Sequence, residues 1–334
     1  MTYPPQVATL LALTGQTIPI LQAPIGSEAA VPLAAAVAQA GGLGGVALTW
    51  ADPEAARTMV QALQAAADGH PVYGNFVLHF PCEGFDAALD AGLALVTLSF
   101  GIDATRVARA HRAGARVGIQ VGSALGARKA VDAGADFLIA QSVEAGGHVQ
   151  STTQAADLLP AVVAQAGAVP VLAAGGISTP VAIARAILAG AAGAVMGTRF
   201  IATTEAGSHD VHKAALVAAS GADSVLTNCF DIGWPYAMHR VLRNDTFMAW
   251  EAAGCPQAPN RPGEGDVVIR HGTEEVLRYA DMPPLPHAVG SPQSAALYAG
   301  TGVGDIRSVE PAAQLLARFA EETLALFSHQ KATA

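Results

Sequence analysis

Short apolar stretches alternate with alanine-rich stretches of helical length along residues 18–218. The apolar stretches are continuous rather than alternating with polar positions, which is typical of strands whose sheet is covered on both faces. Eight of them predict strands, at residues 18–22, 43–48, 72–77, 94–99, 116–121, 137–141, 169–173 and 193–196. Each is followed by a predicted helix, at residues 28–39, 53–67, 84–91, 104–113, 124–133, 153–166, 180–189 and 209–219. Eight strand–helix units predict an α/β fold of the (β/α)8 TIM-barrel type.

Glycine recurs where a predicted helix ends and the next strand is about to begin. The positions are Gly41, Gly92, Gly114, Gly134, Gly167 and Gly190. Glycine adopts the left-handed conformation of a helix C-terminus at little cost, so each glycine predicts a helix end. The recurring Ala-Gly pair is also a faint internal repeat, as expected of a barrel built from equivalent units.

The regular alternation stops after Ser220. We predict a barrel over residues 1–220, a smaller, mainly helical inserted cap over residues 221–295, and a C-terminal segment over residues 296–334 that returns to the barrel. Helices are expected at residues 236–242 and 246–252 of the cap, and an amphipathic helix at residues 311–327 is expected to close back on the barrel.

Composition narrows the class of protein. The chain holds 18 Lys+Arg and 27 Asp+Glu, a net charge of −9, and 51% apolar residues. Such a chain is too apolar for general disorder and lacks the basic clusters that bind nucleic acid or anionic membranes. Its three scattered cysteines predict neither a disulfide framework nor a zinc ribbon. The sequence shows no signal-peptide pattern and no apolar run that could span a bilayer, so we expect a cytoplasmic protein. A homodimer is a possible assembly.

The loops after the seventh and eighth strands are where TIM barrels commonly bind phosphate. Gly175 and Gly176 follow the seventh strand and would let the backbone approach an anion closely. Thr179 predicts a helix N-cap beside them, and Gly197 with Thr198 would add a backbone N–H and a hydroxyl after the eighth strand. These features predict phosphate binding. The alternative is that the glycines only form tight turns.

One histidine stands in a loop at the predicted barrel mouth. His148 follows the pair Gly146 and Gly147 after the sixth strand. Imidazole titrates near neutral pH and suits a general base, although a structural role for His148 stays open. His209 and His212 have the i, i+3 spacing of a metal pair, but no third ligand is near in sequence, so we interpret them as a solvated helix start and expect no metal.

The other candidate groups at the barrel mouth are amides and backbone. Ala23 and Pro24 follow the first strand, Asn75 lies in the third strand and Gln120 in the fifth. Glu144 is the only acid in the catalytic-looking loops, so paired-acid hydrolysis and two-metal chemistry lack their groups. Phosphate capture, neutral amides and one base suit a cofactor such as FMN. A flavin-free phosphate-binding lyase or isomerase and a non-catalytic binding role are the alternatives.

A series of motifs is similar to a known family. In chain order they are QAPIG, AGGLGGVAL, GNF, VTLSFG, QSVEAGGH, LAAGGIS, VMGTRF and YAGTGVG. Together they resemble the nitronate monooxygenase family over almost the whole chain. The wider superfamily includes flavin-dependent enoyl thioester reductases and NAD(P)H:quinone reductases, so the resemblance indicates fold and FMN more specifically than substrate.

The resemblance implies an FMN-binding barrel with a mainly helical second domain. It places Ala23 and Pro24 against the flavin ring, and it makes His148 the base that removes a proton next to a nitro group. Further positions are predicted to bind FMN, either because the resemblance implies it or because they lie next to such positions at the barrel mouth. They are Asn75, Gln120, Gln141, Gly146, Gly147, Gly175, Gly176, Val195, Met196, Gly197 and Thr198.

The reaction implied by the resemblance is oxidation of a small-molecule nitronate by O2 to a carbonyl compound and nitrite, through a flavin semiquinone. The alternative is an FMN-dependent NAD(P)H reductase of enoyl thioesters or quinones. The sequence departs from the family pattern at two positions. Val195 and Thr301 stand where the family often has glutamine.

Overall fold

The eight predicted strands form one parallel sheet that closes into a barrel. The computed structural model describes residues 3–25 and 28–332, so Gly26 of the QAPIG motif lies outside the described residues. The strands up to the end of the barrel are β1 (Ile20–Gln22), β2 (Gly44–Ala47), β3 (Val72–Val77), β4 (Leu95–Ser99), β5 (Arg116–Val121), β6 (Phe137–Gln141), the two-residue β7 (Gly147–His148) outside the barrel, β8 (Val171–Ala174) and β9 (Gly193–Met196). Parallel bridges from Leu21 to Leu43 and from Ile25 to Val46 join β1 to β2 and complete the ring. The predicted TIM barrel is confirmed.

The α-helices of the described residues are α1 (Pro5–Thr14), α2 (Val31–Gln39), α3 (Pro53–Ala67), α4 (Phe85–Asp90), α5 (Ala104–Arg112), α6 (Ala124–Asp132), α7 (Ala155–Ala166), α8 (Pro180–Leu188), α9 (Thr198–Ile201), α10 (Asp210–Ala218), α11 (Asp245–Ala252) and α12 (Ala312–Ala332). Those that connect successive barrel strands are α2 to α8. The six glycines expected at helix ends all have positive φ, between 60° and 103°.

The eighth helical position on the barrel wall is filled from the C-terminal segment. Leu316 and Phe319 of α12 pack in one cluster with Val37 of α2 and Ile187 of α8. The predicted return of this helix to the barrel is therefore confirmed. The helix predicted after the eighth strand exists as α10, but its Leu216 packs on residues of the later segments instead of the barrel strands.

Two aromatic rings fill the barrel interior, and two glycines make room for them. A Cβ atom at Gly45 would overlap the Tyr73 ring, and one at Gly118 would overlap the Phe137 ring. The Tyr73 hydroxyl donates a hydrogen bond of 2.6 Å to the Gln22 carbonyl. The interior is thus a packed core, and any ligand of the barrel has to bind at a strand end.

Residues 221–295 are not mainly helical, which corrects the prediction. They contain α11 and five strands, β10 (Ser224–Thr227), β11 (His239–Leu242), β12 (Val267–His271), β13 (Glu274–Leu277) and β14 (Val289–Gly290). The helix predicted at 236–242 was wrong, because β11 pairs on one side with β10 and on the other with β7. The helix predicted at 246–252 is confirmed as α11. The domain boundaries at residues 220 and 295 stay predictions.

Within residues 3–25 and 28–332, no helix is both long enough and apolar enough to cross a bilayer. Cys82 and Cys229 are buried free thiols, and Cys255 is an exposed free thiol.

Candidate active site

The predicted site residues all lie at the end of the barrel where the strands terminate. Ala23 and Pro24 follow β1, and the other positions fall on β3, β5, β6, β9 or the loops that leave β6, β8 and β9. In a TIM barrel this end carries the active site. The structure therefore gathers these positions on one surface, and the assigned role of each residue stays a prediction.

The loops after β6, β8 and β9 meet the YAGTGVG turn in direct backbone contact. A Cβ atom at Gly146 would lie 2.5 Å from the Gly300 nitrogen, and the Gly300 N–H donates a hydrogen bond of 2.9 Å to Thr198 Oγ1. A Cβ atom at Gly176, whose φ is +68°, would lie 2.8 Å from Thr301 Oγ1. Side chains at these glycines would separate the loops. The packing of the loops therefore requires these glycines. The place where the loops meet the YAGTGVG turn, called the junction below, is lined by backbone atoms.

Side chains next to this junction point in different directions. Val195 belongs to the cluster inside the barrel, whereas Met196 packs outward against the helices. Met196 can reach the mouth only through its backbone, and its carbonyl accepts a hydrogen bond of 2.8 Å from Ala23 N–H. Arg199 is buried and ion-paired with Glu310, so it does not offer its charge to the junction. Backbone N–H groups and hydroxyls are the donors that remain there for an anion.

Three rings pack around His148, which is half-buried. The Trp234 indole stacks on it with centroids 4.5 Å apart at 26°, while the His239 and Tyr298 rings lie at 5.2 Å and 5.8 Å. His148 Nε2 is buried and has no hydrogen-bond partner. Burial lowers the pKa of His148 to about 3, with a smaller contribution from His239. His148 is therefore uncharged at neutral pH, and its Nε2 makes no hydrogen bond to the described residues.

Two glutamines hold the backbone around His148. Gln141 Nε2 donates a hydrogen bond of 3.2 Å to the His148 carbonyl, and Gln141 Oε1 accepts one of 3.2 Å from Gln150 N–H. Gln150 Nε2 donates to the Gln120 carbonyl at 2.7 Å, and Gln150 Oε1 accepts from Phe100 N–H at 2.8 Å. Gln150 thus ties the His148 loop to the ends of β4 and β5. Sequence reasoning missed it, although it stands two residues beyond the histidine in the same loop.

His239 was also missed, and it is fixed in one neutral form. Phe230 N–H donates to His239 Nε2 at 3.2 Å, which makes Nε2 the acceptor, so Nδ1 carries the proton and donates to the Ala237 carbonyl at 2.9 Å. Burial lowers the pKa of His239 as well. In the pairing of β7 with β11, His239 lies opposite His148. No local sequence pattern places residue 239 beside residue 148, because the contact depends on this long-range strand pairing.

Aromatic side chains from the barrel loops meet Trp234. Its centroid lies 4.6 Å from that of Phe100, 5.1 Å from that of Phe80 and 5.3 Å from that of His79. Phe80 also contacts the exposed Trp50 at 5.4 Å. The Trp234 indole beside His148 is therefore surrounded by aromatic rings, and Trp50 lies outside them, in contact with Phe80 alone among these rings.

Two polar groups that the sequence placed at the mouth are engaged by the protein itself. Asn75 Nδ2 donates to Thr97 Oγ1 at 2.9 Å, which fixes the amide in the strand layer. The Glu144 carboxylate accepts the Ala155 N–H at 3.0 and 3.1 Å, so it caps the first turn of α7. Glu144 is accordingly a structural cap.

The interpretation of His209 and His212 as a solvated helix start is half right. His209 Nδ1 accepts the Val211 N–H at 3.1 Å and caps α10, but His212 is 1% exposed. Its Nε2 lies 3.2 Å from the Tyr298 carbonyl, and burial lowers its pKa to about 4. Across residues 3–25 and 28–332, no three His, Cys, Asp or Glu side chains are arranged to hold a metal ion.

A shallow pocket of about 180 Å³ lies at the opposite end of the barrel. It is lined by residues that precede the strands, among them Gln16, Thr17, Gly41 and His70. Conserved chemistry of TIM barrels is found at the other end of the strands. This pocket is therefore separate from His148 and its neighbours.

Comparison with known proteins decides the family. The model of the nitronate monooxygenase family matches residues 81–322, well over half of the chain. The chain belongs to the nitronate monooxygenase family. It is accordingly an oxidoreductase, and flavin dependence is a property of this family.

Relatives with different names share this fold. A nitronate monooxygenase of Pseudomonas aeruginosa is 29% identical over 93% of this chain and 97% of its own. A nitroalkane oxidase of Streptomyces ansochromogenes has a TM-score of 0.77 at 29% identity, over 96% of this chain and 99% of its own. A (3aS,4S,5R,7aS)-5-hydroxy-7a-methyl-1-oxo-octahydro-1H-indene-4-carboxyl-CoA dehydrogenase of Mycobacterium tuberculosis is 31% identical over 83% of both chains. FabK from Thermotoga maritima, at TM-score 0.79 and 24% identity over 97% and 98% of the chains, shares the fold.

Proposed function

We propose that this family member uses FMN to oxidise alkyl nitronates, and neutral nitroalkanes after their deprotonation, with O2 to a carbonyl compound and nitrite. The observation that carries the proposal is the state of His148. Its Nε2 is buried and unpartnered, and its lowered pKa of about 3 keeps it unprotonated at the barrel mouth. A neutral imidazole held this way is a base awaiting a proton.

The residues at the mouth fit FMN. The junction of the loops after β6, β8 and β9 offers backbone N–H groups and the Thr198 hydroxyl, which suit a phosphate monoester. In the proposal Gly176, Gly197 and Thr198 hold this phosphate, and Asn75 and Gln141 face the polar edge of the ring. The chemistry that FMN supplies when bound is the transfer of electrons from the substrate to dioxygen.

The chain's own residues move and position the proton. His148 Nε2 takes the proton from the carbon next to the nitro group of a neutral nitroalkane. The negative charge that forms on the substrate then stabilises the imidazolium ring, which burial alone would disfavour. Trp234 and Tyr298 exclude water from the ring, and Gln141 holds its backbone.

Oxidation or reduction of a thioester is the second candidate. It is favoured by the relative of Mycobacterium tuberculosis, named as a CoA-ester dehydrogenase, at 31% identity. In this alternative NAD(P)H reduces FMN and an enoyl thioester or a quinone accepts the electrons. Rapid anaerobic bleaching of the flavin by NADH or NADPH, together with no response to ethyl nitronate, would favour this candidate over nitronate oxidation.

Replacing His148 tests its role as the base. The His148→Asn variant should retain FMN but turn over neutral nitroethane about 10²- to 10⁴-fold more slowly, because the proton acceptor is lost. Ethyl nitronate is already deprotonated, so its oxidation should fall less than about tenfold. Oxygen consumption and nitrite release measure both.

The control for this variant is His70→Asn, which removes an exposed histidine at the opposite end of the barrel. It should behave as the unaltered protein with both substrates. Unchanged nitroethane turnover in His148→Asn would contradict the assignment of His148 as the base.

A further inference from the structure

We propose that Trp234 determines substrate size: its indole, wedged between the His148 and His79 rings, restricts the site to compact nitronates. This inference rests on the proposed function. It goes beyond it by naming which nitronates the site accepts and which side chain decides. Trp234 lies in the segment 221–295, far in sequence from the barrel loops that carry the base.

The indole is packed between two imidazoles. It stacks on His148 at 26° and on His79 at 19°, with centroid distances of 4.5 Å and 5.3 Å. The Phe80 and Phe100 rings meet it at steeper angles of 72° and 64°. Trp234 is 7% exposed. It is therefore a fixed wall beside the base.

A comparison with Trp250 shows that Trp234 is not an ordinary core side chain. Trp250 packs in an apolar cluster with Phe247, and its Nε1 donates to the Pro256 carbonyl at 2.9 Å. Trp234 belongs to none of the six apolar clusters formed by the described residues. Its ring neighbours are two histidines and two phenylalanines of the barrel mouth, which places it at the site and not in a core.

The backbone around Trp234 is anchored on both sides. Ile232 N–H donates to the Tyr279 carbonyl at 3.0 Å, and the Ile232 carbonyl accepts from Asp281 N–H at 2.9 Å. On the other side, the Ala237 carbonyl accepts the His239 Nδ1 proton at 2.9 Å. Because the main chain is held before and after Trp234, the volume of the Trp234 side chain sets the free space beside His148.

The stacking covers a face of the His148 ring, so a substrate has to meet the edge of that ring. The lone pair of Nε2 lies in the plane of the imidazole, while the indole covers a face of that ring. In the proposed function the carbon of a neutral nitroalkane therefore meets Nε2 at the ring edge, and the nitronate that forms stays beside it. Substituents on that carbon then meet the indole, so a small alkyl group is accepted and an aryl group collides.

The test compares a small and a large substrate in variants of Trp234. In Trp234→Ala holoenzyme, the ratio of kcat/KM for the nitronate of phenylnitromethane to that for ethyl nitronate should rise at least about tenfold, the scale on which pocket volume discriminates substrates. Trp234→Phe keeps a ring and should raise the ratio less. The matched control is Trp50→Ala, which removes an exposed indole that contacts Phe80 at 5.4 Å, and it should leave the ratio unchanged.

A binding measurement separates this inference from the proposed function. Anaerobic titration of each holoprotein with nitroethane and with phenylnitromethane, followed by the flavin absorbance, gives Kd values that need no turnover. Tighter binding of phenylnitromethane relative to nitroethane in Trp234→Ala supports the inference, whether or not any nitronate is oxidised. A lack of nitronate oxidation would contradict only the proposed function. The inference would be overturned by Kd ratios that do not change in Trp234→Ala and Trp234→Phe. It would also be overturned by a shift of equal size in Trp50→Ala. If Trp234→Ala does not fold, the Kd ratio of Trp234→Phe decides.

Discussion

His148 and its three ring neighbours set the chemistry of the site at the scale of single residues. Trp234, His239 and Tyr298 surround the imidazole, and His239 is itself held neutral by Phe230 and Ala237. A protonated His148 would place a charge among these rings without a hydrogen-bond acceptor at Nε2. Removal from water is thus what keeps His148 uncharged, which the proposed role as a base requires.

The pH dependence of nitroalkane turnover follows from this environment. A base must be deprotonated to act, and the pKa of His148 is lowered to about 3, so it stays active down to mildly acidic pH. We expect kcat/KM for neutral nitroethane to be nearly constant between about pH 8 and pH 5. A histidine with the ordinary pKa of about 6.5 would lose roughly thirtyfold by pH 5.

The measurement is a pH–rate profile under saturating oxygen, with the flavin absorbance recorded at each pH to show that FMN is retained. A decline governed by an apparent pKa near 6.5 would contradict the described environment of His148. The His148→Asn variant serves as the control, because any limb that persists in it belongs to another group.

Residue roles could be predicted from the sequence only where they depend on strand ends. His148 could be placed at the barrel mouth because its loop follows a predicted strand, whereas Gln141 was assigned from the family resemblance, and the roles of both stay predictions. Glu144 could not be recognised as a helix cap, and Trp234 could not be placed against His148, because both assignments need distances between segments. The same limit explains why Gln150 and His239 were missed.

Glycines inside strands decide how the barrel packs at the scale of elements. Gly118 of β5 faces the Phe137 ring of β6, and an added Cβ would overlap that ring. We therefore expect Gly118→Ala to lower the free energy of unfolding by about 1–3 kcal/mol, the usual cost of overpacking a core. Urea denaturation followed by circular dichroism measures it.

The control for Gly118→Ala is a compensating change. Phe137→Leu alone should also destabilise the barrel, because it leaves a void in the interior cluster. The double variant should lose less than the sum of the two single variants, since the smaller side chain makes room for the new methyl group. Strict additivity would show that the two residues do not share one space.

Strands and helices could be predicted where the pattern of apolar residues within the segment itself determines its structure. All eight barrel strands were found from continuous apolar runs, and α11 and α12 from helical patterns. The error at residues 236–242 has a physical cause, because β11 is held by partners in β7 and β10 that are distant in sequence. Propensity does not report such pairing.

The return of the C-terminal segment to the barrel holds the whole molecule together. Arg199 follows β9 and is 3% exposed, and its guanidinium binds Glu310 and donates 3.2 Å and 3.1 Å hydrogen bonds to the carbonyls of Ser308 and Ala202. This ion pair joins the last barrel strand to the chain just before α12. The arginine of the MGTRF motif thus has a structural role.

Removing the acid of this pair should destabilise the molecule. Glu310→Ala leaves the buried Arg199 charge without its partner, and we expect a loss of about 3–5 kcal/mol in the free energy of unfolding. Arg318 also contacts Glu310 at 2.7 Å but is largely solvent-exposed, so Arg318→Ala should cost less than about 1 kcal/mol. Thermal and urea unfolding compare the two, and losses of equal size would argue against a special role of the buried arginine.

The position of α12 between α2 and α8 also governs when the protein can finish folding on the ribosome. Until residues 312–319 have emerged, Val37 and Ile187 face water along an open apolar seam. A chain stopped before that point carries this seam permanently and becomes a substrate for chaperones and proteases.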